Sequence, residues 1–212
     1  MSENSPRPGL RINPYDPSRR EETVRALAAA FSRDTFVPSL VAPDHPARRL
    51  EAMHRAELLH LGSSAHAIDL ALEDDGSAIL GAAIWVLPGS RGESLGGILR
   101  AAPQMLRATG SLRRLRSTGR VLRALDEARP TEPHWYLLTL GVVPDAAGRG
   151  VGSALVRHRL TTVDAQGAPA YLEAATKAHV PYYARFGFRP LGQIRAPHPA
   201  PPIGMWRDVG AR

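Results

Sequence analysis

A glycine-rich turn between an apolar segment and an amphipathic segment is the feature of this sequence with the clearest chemical potential. The turn spans residues 147–153 and reads Ala-Gly-Arg-Gly-Val-Gly-Ser. Glycine lets the backbone turn tightly and approach a ligand closely. The first N–H groups of a helix have no partners within it, and the helix dipole favours negative charge there. The turn therefore suits a diphosphate, to which Arg149 would add a charge-assisted contact.

Other readings of the same turn remain open or fit poorly. An ordinary helix start with glycine for flexibility explains the turn alone equally well. The Rossmann pattern places an acidic residue about 20 residues beyond its glycines, and no acidic residue is clearly placed for that role here. The Walker pattern requires Gly-Lys-Ser or Gly-Lys-Thr, and neither occurs in the sequence.

Helical segments precede the turn. Capping residues and the spacing of apolar positions predict helices over residues 18–31 and 46–61. A longer helical stretch covers residues 94–128, and we expect breaks near Pro103 and Gly110. This stretch separates two strand signals by an unusual length, so we expect an insertion that shapes a substrate pocket.

Strand signals occur in the middle and in the last third of the chain. Two apolar runs, 67–72 and 78–87, flank the turn signal Glu-Asp-Asp-Gly-Ser and predict an antiparallel hairpin. The later segments predict a strand over 135–143, a helix over 150–164, a strand over 170–174, a short helix over 181–186, and strands over 188–194 and 203–209. This order of elements predicts a mixed α/β domain.

The composition is that of a globular protein. The 212 residues are 43% hydrophobic and 22% charged, and none of them is cysteine, which excludes disulfides and a cysteine nucleophile. No segment reads as a signal peptide or a membrane span, so we expect a cytoplasmic protein without a membrane partner. The net charge is +7, and many arginines lie between Arg107 and Arg129. Because no stacking aromatics interleave them, we expect a solvated helix face and no nucleic-acid partner.

Three segments together resemble the GCN5-related N-acetyltransferase (GNAT) superfamily. Residues 140–144, Leu-Gly-Val-Val-Pro, look like its central strand, and residues 148–152 look like its pyrophosphate-binding loop. Tyr183 followed by Gly-Phe at 187–188 looks like its late motif. The resemblance is specific over residues 135–192. The sequences of residues 133–137 and 181–183 are similar to the branch of the superfamily that includes puromycin N-acetyltransferase.

The resemblance implies a fold and a domain organisation. We expect a mixed, mostly antiparallel central sheet that splays at a bulge and is flanked by helices. One N-acetyltransferase domain is expected over residues 10–212, with a cofactor-binding core at 135–192 and a helical insertion at 91–130. Residues 1–9 are expected to be flexible.

The resemblance also implies acetyl-CoA as cofactor and transfer of the acetyl group to the amine of a small molecule. The backbone of Leu140 and Val142 would pair with the pantetheine arm, and the Val142 N–H would donate to the developing oxyanion. The residues implied in cofactor binding are Leu140, Val142, Val143, Gly148, Arg149, Gly150, Val151, Gly152, Ser153, Thr176 and Tyr183. No metal site is expected.

Two side chains are the main catalytic candidates. The Tyr183 phenol, with an unperturbed pKa near 10, can protonate a departing thiolate. Glu173 lies in a strand beside the expected cleft, where a raised pKa would make it a better base. Glu132 and His134 are alternatives for the base, and His134 and Trp85 are tentative acceptor-site residues. Each of the aromatic and imidazole side chains is otherwise explained by packing, as are Phe186 and Phe188.

Two positions depart from the GNAT pattern. Ala147 stands where the superfamily usually has glutamine or arginine, and Thr176 stands where it often has asparagine. These departures keep a second function open, a regulatory protein that binds acyl-CoA without catalysis. A protein N-acetyltransferase and a homodimer are also compatible with the sequence.

Overall fold

A single mixed sheet of seven strands organises the described part of the chain. The computed structural model describes residues 10–60, 66–90 and 95–211. The strands are β1 (Arg11–Pro14), β2 (His66–Leu72), β3 (Ile79–Val86), β4 (Trp135–Val142), β5 (Ala170–Ala174), β6 (Arg189–Gln193) and β7 (Ile203–Arg207). The helices in these residues are α1 (Arg20–Phe31), α2 (Pro46–His60), α3 (Leu95–Thr109), α4 (Leu112–Ala128), α5 (Val151–Ala165) and α6 (Val180–Ala184). The strand order is β1-β2-β3-β4-β5-β7-β6.

The sheet splays between its two central strands. β4 and β5 form the parallel pair, and the other neighbouring strands run antiparallel. The β4–β5 register runs from Trp135 opposite Ala170 to Leu137 opposite Leu172. Beyond that point the second half of β4 pairs with β3 and leaves its other edge open. The mostly antiparallel, splayed sheet expected from the sequence is confirmed.

A β-bulge on β4 lies at the point of divergence. Ile84 of β3 faces Thr139, and the next residue, Trp85, faces Leu137. Leu138 is therefore the extra residue of β4. A bulge increases twist and turns the strand, which here carries the end of β4 away from β5.

Helices cover both faces of the sheet. On one face the buried residues of α5, including Leu155 and Val163, pack against the sheet in the largest hydrophobic cluster. On the other face α1 contributes Val24 and Leu27 to a cluster with Ile84. Trp85 lies in the cluster beneath α5 and is fully buried.

The first helix begins two residues later than predicted. Residues 17–19 form a 3-10 turn, and the Asp16 side chain caps it by accepting from the Ser18 N–H at 2.8 Å. Asp16 thus binds the amide of Ser18 itself, and Ser18 lies inside the 3-10 turn instead of in front of a helix. The Ser18 side chain therefore does not cap the first helix, and the helix predicted over residues 18–31 is confirmed over Arg20–Phe31.

The predicted hairpin is confirmed, and an additional edge strand precedes it. β2 and β3 pair antiparallel with one register shift. β1 adds to β2 by backbone pairing from Arg11 to Pro14. The side chains of β1 are mostly exposed, so this strand has no apolar alternation by which the sequence could have predicted it.

The helical insertion contains one break rather than two. α3 continues through Pro103, and the chain turns at Gly110, whose φ is +71°. The Ser111 side chain then caps α4 by accepting from the Arg114 N–H at 3.3 Å. α3 packs along α2, and this tertiary contact compensates for the backbone bond that proline removes.

Two further expectations concern termini and membranes. The prediction that residues 1–9 are flexible falls outside the described residues. Across residues 10–60, 66–90 and 95–211, no helix is long and apolar enough to cross a membrane.

Candidate active site

An open cleft of about 1810 Å³ lies where β4 leaves β5. Its walls come from the open edge of β4, the glycine-rich turn, the start of α5, the end of α1 and α6. The side chains and backbone that line it include Phe31, Asp34, Leu140, Gly141, Val142, Gly148, Arg149, Gly150, Val151, Gly152, Ser153, Thr176, Tyr182 and Tyr183. Most residues predicted to hold the cofactor are therefore brought together in one cavity.

The open edge of β4 presents backbone groups to the cleft. The Val143 N–H donates to the carbonyl of Leu80, near the start of β3, at 2.9 Å. Successive residues of a strand direct their N–H and C=O groups to opposite edges. Leu140 and Val142 consequently direct theirs away from β3, towards the side from which β5 has diverged. Val143 directs its amide into the sheet and is not among the cleft-lining residues, so its predicted role in cofactor binding stays a prediction.

The glycine-rich turn ends in an uncapped helix start. Gly148 and Gly150 have φ values of +77° and +83°, a region that favours glycine. The first bond of the α5 ladder is donated by Ala154 to the Gly150 carbonyl at 3.0 Å, and no side chain caps Gly150. The preceding amides, 151–153, have no helical acceptor and lie at the cleft wall. This is a donor set that suits a diphosphate.

Tyr182 completes this end of the cleft, and sequence reasoning missed it. A Cβ added to Gly152 would lie 2.8 Å from the Tyr182 Oη and 3.4 Å from the Val142 side chain. The Arg185 guanidinium lies 4.8 Å from the centre of the Tyr182 ring. Tyr182 and Tyr183 are adjacent in the sequence, but the resemblance to the late GNAT motif indicated Tyr183 alone.

Arg149 and Thr176 both line the cleft. Arg149 lies 3.8 Å from the Glu73 carboxylate, and both side chains are about half exposed. A surface pair of this kind contributes little energy and can be exchanged for another anion. Thr176 begins the 3-10 turn before α6 and makes no capping bond with its side chain.

The Tyr183 phenol faces the cleft from α6. Its ring packs edge to face with Tyr182 at 5.0 Å and with Phe188 at 6.3 Å between centroids. Burial raises the pKa of Tyr183 well above its ordinary value. The hydroxyl is therefore protonated at neutral pH and can serve as a proton donor.

Glu173 lies on β5 immediately beyond the last residue that pairs with β4. The Tyr136 hydroxyl donates to Glu173 Oε2 at 2.5 Å, and Oε1 is buried without a hydrogen bond to the described residues. Burial raises the pKa of Glu173 to about 7, against the opposing effects of the Tyr136 hydrogen bond and the nearby Arg129. A carboxylate with this pKa can accept a proton at neutral pH. Glu173 is not among the cleft-lining residues.

The tentative acceptor-site residues lie away from the cleft. Trp85 is buried against Trp135, 6.5 Å between ring centroids, on the α5 face of the sheet. His134 donates through Nδ1 to the Glu132 carbonyl at 2.6 Å, and its ring packs against Tyr171. The structure thus gives Trp85 and His134 packing roles, and Glu132 is exposed.

A second polar cluster flanks the β4 bulge and was not found from the sequence. We call His54, Glu57 and Thr139 the bulge cluster. His54 Nδ1 lies 2.9 Å from Glu57 Oε2, and the Thr139 hydroxyl donates to Glu57 Oε1. The two residues of α2 are one turn apart, but Thr139 is 82 positions from Glu57, so no local pattern could have joined them.

A family model and solved structures match the chain. The model described as the acetyltransferase (GNAT) family matches residues 39–188, which is more than half of the 212 residues. A Corynebacterium glutamicum protein described as histone acetyltransferase HPA2 and related acetyltransferase is 26% identical, with a TM-score of 0.74 over 96% of this chain and 98% of that chain.

Two more distant structures share the fold. The PaiA N-acetyltransferase of Thermoplasma acidophilum, solved with coenzyme A, has 9% identity and a TM-score of 0.59 over 94% of this chain and 99% of that chain. Arylalkylamine N-acetyltransferase 2 of Aedes aegypti has 13% identity and a TM-score of 0.60 over 93% and 97%. The family match covers the splayed strands, the glycine-rich turn and the tyrosine of α6, and this chain belongs to the GNAT family of acetyltransferases.

Proposed function

We propose that this acetyltransferase moves an acetyl group from acetyl-CoA directly to the amine of a small molecule. One observation carries the proposal: Val151, Gly152 and Ser153, which open α5, and Tyr183 line the same cleft. An elongated ligand with a diphosphate at one end and a reacting sulfur further along fits that arrangement. Direct transfer agrees with a chain that has no cysteine to carry the acetyl group.

The chain's own groups hold the donor along the cleft. The amides of Val151, Gly152 and Ser153 receive the diphosphate, and Arg149 exchanges Glu73 for a phosphate oxygen. The open backbone edge at Leu140 and Val142 receives the amide-containing arm as a strand neighbour would. Acetyl-CoA would supply an acetyl thioester, and the Val142 N–H, on the open edge of β4, would donate to its carbonyl oxygen.

Proton transfers are assigned to Glu173 and Tyr183. Glu173 lies one residue beyond the β4–β5 pairing and outside the cleft lining, so it would take the proton of the acceptor's ammonium group through a bridging water, which frees the nitrogen lone pair. As the C–N bond forms and the C–S bond breaks, Tyr183 donates its proton to the sulfur and regains one from solvent. The nitrogen loses two protons in all, and the net reaction releases one.

The helical insertion supports a small acceptor rather than an extended peptide. Val121 and Leu125 of α4 pack against Phe36 and Ile194, and the Thr118 hydroxyl donates to the Leu40 carbonyl at 2.7 Å. These contacts join the segment after α1 to α4 and to the residue after β6. We infer that this packing narrows access to the reacting end of the cleft, which favours a compact amine.

The function is tested by titrating the full chain with CoA in a calorimeter and by assaying acetyl transfer to a panel of small amines and peptides. We expect micromolar or tighter CoA binding and turnover with at least one small amine. Turnover only with peptides would replace the small acceptor by a protein, and CoA binding without transfer to any amine would favour a regulatory role. Gly119→Ala is a control variant, because its added Cβ meets nothing within 4 Å.

A further inference from the structure

Helix α3 presents an apolar stripe that no part of the described chain covers. Exposed residues recur along it with the spacing of one helix face, and all of them are apolar: Ile98, Leu99, Ala102, Pro103 and Leu106. The three large side chains are 40%, 65% and 42% exposed. Ala101 and Ala108, on the other side of the helix, are buried. Helix α3 therefore buries its alanines against the domain and presents large apolar side chains to solvent.

Helix α4 extends this apolar surface. Leu112, which follows the turn at Gly110, is 60% exposed, and Leu122 is 42% exposed. Five of the seven large hydrophobic residues that are exposed in the described part of the chain thus lie on α3 and α4. A concentration of exposed apolar side chains marks an interaction site. We call the solvent-facing side of α3 and α4 the insertion surface.

The insertion surface is also strongly basic. Residues 96–123 contain seven arginines and no acidic residue. Five of these arginines are exposed and form no ion pair with the described residues: Arg100, Arg107, Arg113, Arg116 and Arg120. The first two lie about one turn before and one turn after Pro103, and Arg116 lies one turn after Leu112. The unpaired positive charges therefore border the exposed apolar side chains on both helices.

This combination of charge and apolar area distinguishes between the possible occupants of the insertion surface. In a symmetric dimer the same patch of both copies would meet, so arginines would face arginines, which is unfavourable. A nucleic acid would pair with the arginines but leave the leucines in water, and residues 95–128 contain no aromatic side chain for base stacking. An anionic lipid surface accommodates both groups, because headgroup phosphates attract arginine and the acyl boundary receives leucine.

We propose that the insertion surface binds the interface of an anionic lipid membrane, with Ile98, Leu99 and Leu106 entering the acyl boundary and the arginines contacting headgroup phosphates. The expectation of no membrane partner rested on the lack of a spanning segment, which binding in the interface does not require. Among the described residues, none of those that line the cleft belongs to α3 or α4. The cleft therefore stays open to a cofactor while the insertion surface is occupied.

The test is cosedimentation of the full chain with vesicles of phosphatidylcholine alone and of phosphatidylcholine with about 30% phosphatidylglycerol. We expect binding to the anionic vesicles to be at least about tenfold tighter than to the neutral ones, and to weaken at least about tenfold between about 50 and about 500 mM salt. The double variant Leu99→Gln, Leu106→Gln should weaken it by about tenfold or more, since it removes apolar area that the membrane would bury. Val209→Gln is the matched control, because Val209 is 57% exposed and follows β7, outside the insertion.

Fluorescence reports separately whether α3 enters the lipid. The three native tryptophans are buried, so a tryptophan introduced by Leu99→Trp is the one exposed to solvent. We expect its emission to shift to shorter wavelength on addition of anionic vesicles, while Val209→Trp should show no shift. Vesicle binding without a shift in Leu99→Trp would mean adsorption by charge alone and would overturn the proposal.

Other results would also overturn it. These are equal binding to neutral and anionic vesicles, binding to neither, and anionic binding that the leucine double variant retains at the wild-type level. A dimeric wild type that becomes monomeric in the double variant, measured by light scattering, would assign the insertion surface to a second copy of the chain. The melting temperature and the Kd of CoA should match the wild type in every variant. Because vesicle binding requires neither acetyl-CoA nor an amine, the result does not depend on the proposed function.

Discussion

The pH dependence of Glu173 gives the sharpest quantitative prediction. Burial raises the pKa of this carboxyl from 4.5 to about 7. If Glu173 is the base, it is active only when ionised. The rate constant kcat/KM for the amine should therefore fall about tenfold per pH unit below pH 7. This fall below pH 7 is the acidic limb of the pH profile. Replacing Glu173 by glutamine should remove the limb and lower kcat/KM by about a hundredfold or more.

Tyr136→Phe moves the same limb in a predictable direction. The Tyr136 hydroxyl donates to Glu173 Oε2 at 2.5 Å and thereby lowers the pKa of Glu173. A hydrogen bond to a charged group contributes about 1.5–3 kcal/mol, and one pKa unit corresponds to about 1.4 kcal/mol. Losing the bond should raise the midpoint of the limb from about 7 by about one to two units, to about pH 8–9.

The free energy of unfolding should also depend on the titration of Glu173, and it should fall as the carboxyl ionises with rising pH. The folded-state pKa of Glu173, about 7, lies above the unperturbed 4.5. Stability from the neutral form is therefore complete below pH 4.5 and is lost as the pH rises towards 7. A shift of 7 − 4.5 = 2.5 units corresponds to about 3 kcal/mol at most. Glu173→Gln should consequently unfold at higher urea concentration than the wild type at pH 8, with the difference vanishing near pH 4.

The assay is steady-state acetyl transfer between pH 5.5 and 9, with a thiol reagent to detect the CoA released. The pH dependence of the uncatalysed reaction is subtracted, and acetyl-CoA is saturating. A limb that survives Glu173→Gln unchanged, or one that does not move in Tyr136→Phe, would refute the assignment of Glu173 as the base.

Three further predictions concern other parts of the cleft and the core. Tyr183→Phe should lower kcat by about 10²–10⁴-fold with little change in the calorimetric Kd of CoA, and an unchanged kcat would exclude Tyr183 as the acid. Gly152→Ala should weaken CoA binding, because its Cβ would lie 2.8 Å from the Tyr182 Oη; binding as tight as that of the wild type would contradict the role of the helix start. Arg159→Met should lower the free energy of unfolding by about 3–5 kcal/mol in urea titrations, since it leaves the fully buried Asp69 carboxylate without its bidentate partner at 2.5 and 3.0 Å. A loss below 1 kcal/mol would show that solvent reaches this pair.

Local signals predicted the elements that position the site. The glycine-rich turn and the apolar run before it have distinctive local sequences. The hairpin also follows from its turn residues, and the splayed sheet follows from the family resemblance. Each of these depends on residues close together in the chain or on a motif with strict spacing.

Long-range packing decided the features that the sequence did not reveal. α3 runs through Pro103 because its contact with α2 outweighs a local propensity. β1 is an edge strand held by backbone bonds, so its side chains carry no pattern. Trp85 and His134 are residue types that often line pockets. Only the register of the sheet shows that Trp85 lies under α5 and that His134 packs on Tyr171.

The bulge cluster, which lies outside the cleft lining, illustrates the same limit. His54 and Glu57 are an unremarkable pair on a helix when read alone. Their significance comes from Thr139 and Phe31, which the fold brings to them from another strand and another helix. Charge and spacing within α2 do not contain that information.

The most direct test of the account is a crystal structure of the full chain with CoA. We expect the diphosphate within hydrogen-bond distance of the amides of residues 151–153, the pantetheine arm along Leu140 and Val142, and the sulfur within reach of the Tyr183 hydroxyl. A diphosphate bound elsewhere, or a sulfur too distant from Tyr183 for a hydrogen bond, would contradict the claim that one cofactor joins the helix start to the tyrosine.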